Sequence, residues 1–223
     1  QELGIEEIIH PEEDTATEII GQSLGDDAAV LNAGIGNFNA SRYVELFLSK
    51  LYVLKPTDVV VNYYIKDAGL LDAGGGNWLL RHSEMAVILW EIANQFKENN
   101  SHSSMLEAYR KLYQPDSRGF LEMTRALDRL AEYTHSHGIR VYFVVLPDLY
   151  DLKHYDYVFA HDIMKKQAEI RNFETLDLLP FFQRENDAKK YWVMPTDRHP
   201  NSLAHQIMAQ AILEMLQQPA GNQ

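Results

Sequence analysis

The sequence predicts an α/β fold on a mainly parallel sheet covered on both faces, and three observations carry that reading. Four short runs are β-branched or aromatic and largely apolar on both sides: "AAVLNAG" (28–34), "DVVVNYYI" (58–65), "RVYFVVLP" (140–147) and "FETLDLL" (173–179). Continuous apolar strands of this kind suit a parallel sheet buried under helices. Segments with helical periodicity lie between them, and the alternation of the two is the α/β signature. The last segment places Leu203, Ala204, Ile207, Met208, Ala211, Ile212, Met215 and Leu216 along one face of a helix, which is thereby fixed against the sheet.

Taken in order, the helical patterns are "DTATEIIGQSL", "SRYVELFLSKLYVL", "LLRHSEMAVILWEIANQF", "GFLEMTRALDRLAEYTHSHG", "AHDIMKKQAEIR" and the C-terminal segment. Asp14 and Ser41 are expected to cap the first two, Gly138 to stop the fourth, and Pro200 to open the last. Residues 97–116 read as a polar connection and a short helix inserted on one domain. No internal repeat is visible. A chain of 223 residues is long enough for one buried core, so a single domain over 1–223 is expected.

Composition excludes several function classes. Twenty Lys and Arg against 32 Asp and Glu give a net charge of −12, with no basic footprint for nucleic acid or anionic lipid. With no Cys, disulfides, thiol catalysis and thiolate metal sites are ruled out, while bacterial cytoplasm and periplasm both stay open. No run approaches the ~18 apolar residues of a membrane helix, so the visible chain is expected to be soluble. "QELGIEEIIHPEED" lacks a signal-peptide pattern and the chain opens on Gln1, which reads as a processed chain or a fragment.

Asp197 and His199, in "TDRHPNSLAH", fall in the segment entering the C-terminal helix. In a parallel α/β sheet such segments lie at the carboxyl ends of the strands, where ligands bind. An Asp beside a His holds the imidazole in one tautomer, ready to accept a proton from a hydroxyl nucleophile. Taken singly, a loop Asp and His are more often surface or capping residues; the flanking pattern singles these out.

"DRHPNSLAH" ahead of an amphipathic helix resembles the closing block of the SGNH/GDSL hydrolases. "EDTATEIIGQSLGDDAAVLNAGIGNFNASRYVELF", "LKPTDVVVNYYIKDA", "GIRVYFVVLPDL" and "FETLDLLPFF" resemble that family's further segments in the same order, from about Glu13 to about Met215. "NAGIGNFN", "NYYIKDA", "GGGNWLLRHS" and "DRHPN" are most similar to members found with polysaccharide biosynthesis genes. The resemblance implies a three-layer α/β/α sandwich, flavodoxin-like, with a Ser nucleophile, His199 as general base and Asp197 orienting it. It also implies an oxyanion hole, to which Gly36 by residue type, or Asn37 by ungapped position, would give a backbone N–H. Where the family has Asn-Asp, this chain has Lys66-Asp67. Lys66 can donate to an oxyanion, bind an anionic substrate group, or point to solvent.

The family's Gly-Asp-Ser block, expected before "EEDT", is not in the chain, and none of Ser23, Ser41, Ser49 or Ser83 has the strand–Ser–helix context of a nucleophile. Either the sequence lacks its natural beginning, first strand and Ser included, and is inactive as it stands, or this branch has dispensed with the Ser and keeps the fold for binding. The function expected is removal of O-acyl groups, acetyl among them, from a carbohydrate or related ester. An O-acyltransferase and a non-catalytic glycan-binding or assembly module, with polysaccharide-synthesis partners, are the alternatives. No cofactor or metal is called for: His199 and His205 lack HExxH spacing. "GGGN" (74–77) reads as a flexible loop, and His82 and Ser83 as a helix start or a cleft lining. His135 and His137 suit a helix C-terminus, and the aromatic cluster "HYDYVFAHD" (154–162) is more often a buried ridge than a sugar-stacking surface.

Overall fold

The computed structural model describes residues 15–70, 102–185 and 187–217. In chain order its principal elements are α1 (Ala16–Leu24), α2 (Ala40–Ser49), β1 (Asp58–Tyr64), α3 (His102–Leu112), α4 (Arg118–His137) and β2 (Arg140–Leu146). There follow α5 (Val158–Glu169), β3 (Glu174–Asp177), the single turn α6 (Leu179–Phe182), β4 (Trp192–Met194), β5 (Asp197–Pro200) and α7 (Ser202–Leu216). Strands β1, β2 and β3 form one parallel sheet in that order. β4 and β5 form a separate antiparallel ribbon with an irregularity between Trp192 and Met194.

The layers follow from side-chain alternation along the strands. Val141, Phe143 and Val145 of β2, with Val61 and Tyr63 of β1, pack on α2, α4 and α5 through Val44, Phe47, Leu127, Leu130 and Met164. Tyr142 and Val144 point the other way, into a second core with Ile20 of α1 and Met208, Ile212 and Met215 of α7. Five consecutive residues of β2 are buried, which is what a continuous apolar run demands. The fold is a three-layer α/β arrangement around a parallel sheet. Among the described residues, no helix is long and apolar enough to cross a membrane.

Several local expectations shift. The run 28–34, read as a strand, belongs to no strand and is exposed, Leu31 at 60 %. An apolar run alone does not make a strand; a hydrogen-bonded neighbour must lie beside it. Here the segment stands across a cleft of about 530 Å³ from β1, whose outer edge pairs with no described strand. Thr15 caps α1 through Glu18 N–H; Asp14, like "GGGN", His82 and Ser83, lies outside the described residues. Asn39, two residues before Ser41, caps α2 by accepting from Arg42 N–H. Asn201, not Pro200, stands at the entrance of α7, and Pro200 ends β5. Gly138 does end α4, in the left-handed region at φ 64°, where a Cβ would be strained. His135 and His137 occupy the last turn of that helix.

Candidate functional site

The segment from Tyr191 to Asn201 turns back on itself because Asn201 ties both ends. Its backbone N–H donates to Tyr191 O (2.9 Å), its side-chain amide donates to the carbonyls of Lys190 (2.8 Å) and Trp192 (3.0 Å), and its Oδ1 accepts from Ala204 N–H (3.1 Å). One side chain thus closes the ribbon and starts α7. Trp192 anchors the ribbon to the sheet: its indole N–H donates to Leu149 O at 2.7 Å, in the loop leaving the carboxyl end of β2. Asp197 and His199 therefore sit on a ribbon fixed at that end of the sheet.

On β5, His199 Nδ1 lies 2.5 Å from Asp197 Oδ1, and the same oxygen accepts the backbone N–H of His199 at 3.0 Å. The two bonds fix both ring and main chain to one carboxylate. The His199 side chain is 86 % exposed and that of Asp197 38 %, so the ring is open to solvent. Arg198, between them, lays its guanidinium 4.0 Å from the ring centroid of Tyr150 and 5.7 Å from that of Trp192. His205, one turn into α7, accepts the Ala16 N–H on Nδ1 (3.4 Å), joining the starts of α7 and α1.

The remaining predicted residues stand elsewhere. Gly36 and Asn37 form an exposed turn ahead of α2, with Asn37 at φ 61°, a conformation Asn tolerates better than most residues. Lys66 and Asp67 belong to a one-turn helix, Ile65–Ala68, directly after β1. Gly119 of α4 allows that turn its position, since a Cβ there would meet Ala68 O at 2.4 Å. Lys66 is exposed, its ammonium 5.9 Å from the Tyr64 ring centroid. Asp67 accepts the Tyr64 N–H at 3.0 Å, and burial pushes its carboxyl up to about 7 against the partly offsetting effect of that bond. His199 and Asp197 pair with each other on β5, whereas Gly36 and Asn37 stand ahead of α2 and Lys66 directly after β1. None of His199, Asp197, Gly36, Asn37 and Lys66 lines the 530 Å³ cleft, whose walls are α1, residues 28–34, α2, the edge of β1 and α7. A smaller hollow of about 310 Å³ lies at the opposite, amino-terminal ends of β2 and β3.

Sequence reasoning missed a second Asp–His contact. His161 Nδ1 lies 2.8 Å from Asp177 Oδ1, and His161 Nε2 lies 2.7 Å from the Tyr155 hydroxyl. Asp177 also accepts Leu179 N–H at 3.0 Å and has Lys165 Nζ at 3.3 Å. Burial would raise the Asp177 carboxyl, but the hydrogen bond and charge of His161, the Leu179 N–H and Lys165 together hold it below the usual range. His161 is 1 % exposed. The "HYDYVFAHD" cluster is accordingly a buried ridge at Tyr157, with a polar network beside it.

No protein-family model matches the sequence, and comparison with curated proteins finds no match. Solved structures do resemble it. LAE5, an alpha/beta hydrolase enzyme from the metagenome of Lake Arreo, Spain, superposes with a TM-score of 0.58 at 16 % identity, over 90 % of this chain and 80 % of that one. A protein assigned to the lipolytic G-D-S-L family, from Desulfitobacterium hafniense DCB-2, gives 0.53 at 13 % identity, over 91 % and 88 %. At such identities the likeness shows the fold: this chain has the α/β architecture of hydrolase structures.

Proposed function

We propose that the protein is an SGNH/GDSL-type ester hydrolase, with His199 as general base and Asp197 as its orienting acid, acting on O-acyl groups of a carbohydrate or related ester. One observation carries the reading: the 2.5 Å contact between His199 Nδ1 and Asp197 Oδ1, on a ribbon bonded to the carboxyl end of β2. With Nδ1 engaged, Nε2 is the nitrogen left to exchange a proton. It would take the proton of a hydroxyl nucleophile as that oxygen attacks the acyl carbon, then return it to the departing alkoxide; water would release the acyl group in a second cycle. The N–H groups of the turn at Gly36 and Asn37 are the proposed oxyanion donors, and Lys66 the proposed contact to substrate.

The nucleophile-bearing strand would lie along the open edge of β1, in the 530 Å³ cleft. Two features support this placement: the edge of β1 has no described partner, and the cleft runs beside the strand from Asp58 to Asn62. The test is hydrolysis of a chromogenic acetyl ester by the full-length product of the coding sequence. His199→Ala is expected to lower the rate by about 10²-fold or more; equal rates would remove the proposed base.

A second reading, a non-catalytic glycan-binding module, is favoured by one observation: among the described residues no seryl hydroxyl bonds His199, whose ring stands 86 % exposed. A serine-reactive fluorophosphonate that fails to label the full-length protein would decide for it. An acyl-enzyme that passes its acyl group to an added oligosaccharide in preference to water would instead mark a transferase.

A further inference from the structure

The buried network offers a hydroxyl, an imidazole and a carboxylate in line, the constellation that activates a nucleophile. It is not a second catalytic centre. His161 is 1 % exposed, neither hollow described above is lined by His161 or Tyr155, and burial raises the Tyr155 hydroxyl well above its ordinary range, which keeps it protonated. Its use must lie in what it holds.

For a neutral imidazole at His161, its partners set the direction of each hydrogen bond in the network. Asp177, as carboxylate, accepts His161 Nδ1–H; Nε2 is then an acceptor, and the Tyr155 hydroxyl donates to it at 2.7 Å. The Tyr155 oxygen accepts the backbone N–H of Asp148 at 3.0 Å. The Asp148 carboxylate accepts the Tyr64 hydroxyl (2.5 Å) on one oxygen and the Tyr150 N–H (2.8 Å) on the other. The Tyr150 ring seats the Arg198 guanidinium at 4.0 Å. The chain of contacts thus runs from β3 through α5, the loop after β2 and the end of β1, and stops at the residue between Asp197 and His199. By contrast, the buried hydroxyl pair of Tyr63 and Tyr113 ends on the carbonyl of Ile65.

We infer that Tyr155, His161 and Asp177 are positioning residues that, through Asp148, Tyr150 and Arg198, hold the ribbon bearing His199 in register with the sheet. The inference rests on the reading of His199 as the base only for its catalytic consequence; the mechanical coupling stands by itself.

The test uses the full-length protein and two substitutions at opposite ends of the chain. Tyr155→Phe keeps the ring and removes the link to both His161 and Asp148 N–H. Arg198→Lys keeps the charge and removes the planar stack. Nuclear magnetic resonance reads the His199 ring and the Trp192 indole N–H in the first variant, and the His161 ring in the second. Both sets of signals are expected to move, and each variant is expected to lose about tenfold in kcat with KM unchanged. The double variant should lose no more than the larger single one. Unmoved signals at the far end, or losses that multiply, overturn the inference. Should Tyr155→Phe fail to fold, Arg198→Lys, at an exposed side chain, decides alone: a His161 ring left at its wild-type position refutes the coupling. If the wild-type protein hydrolyses no ester while the signals move, the hydrolase reading falls and the coupling survives.

Discussion

Among the described residues, two Asp–His contacts shorter than 3 Å stand in opposite settings. At one, Asp177 and His161 are 2.8 Å apart in the interior, and every polar atom of the imidazole is committed, to a carboxylate on one side and a tyrosine on the other. At the other, Asp197 and His199 are 2.5 Å apart on a surface ribbon, with the ring 86 % exposed. Distance does not tell a structural pair from the proposed catalytic one. Access does: a base must meet a proton donor from outside the fold, whereas a buried, satisfied imidazole cannot exchange its proton without breaking the network that justifies its burial.

That contrast is open to attack by mutation. His161→Ala would leave a cavity and deprive both Asp177 and Tyr155 of a partner; a loss of about 3 kcal/mol in unfolding free energy is expected by urea titration. A loss under about 0.5 kcal/mol would mean the buried pair is not structural.

Asp67 sharpens the same point, because it is a buried carboxyl with a single backbone bond rather than a His partner. Its pKa is raised to about 7 from an ordinary 3.8, so the folded state holds the proton more tightly than the unfolded chain. Its contribution is therefore most favourable below the ordinary value and is lost as pH rises through about 7. Between pH 5 and 8 the wild-type protein should lose about 2.5 kcal/mol from this group. Asp67→Asn, whose amide oxygen can still accept the Tyr64 N–H, should flatten that slope in unfolding measured at both pH values. Asp177 works in the opposite sense: its lowered pKa gives stability present above the ordinary carboxylate value and lost as pH falls through the folded one.

The smallest effect is expected at Gly36, where an added Cβ meets nothing within 4 Å. Gly36→Ala keeps the backbone N–H and should change stability by under about 0.5 kcal/mol and leave the ester-hydrolysis rate within about twofold.

Much of the sheet was legible because parallel strands buried on both faces leave an unbroken apolar run, as at 140–147, which became β2. The run at 28–34 misled for a physical reason. Apolar composition reports a wish to be buried, but pairing depends on what lies alongside, and that neighbour is not in the local sequence. Two helix starts shifted because the cap was expected at Ser41 and the opening at Pro200, whereas the side chains that reach back to a free N–H are those of Asn39 and Asn201. In the candidate site, Asp197 and His199 were visible since two residues in sequence remain neighbours on one strand. His161, Tyr155 and Asp177 were not, because their contacts span 6 and 16 residues and exist only after α5 packs on β3. The roles of Tyr150 and Trp192 as a seat for Arg198 carry no sequence pattern at all.

The most direct test of the account is the ester-hydrolysis rate of the full-length protein carrying Asp197→Asn, with the unfolding midpoint measured on the same sample. An orienting carboxylate predicts a fall of about 100-fold or more, because the amide no longer fixes the imidazole tautomer, at an unchanged midpoint. A rate within about twofold of wild type would contradict it.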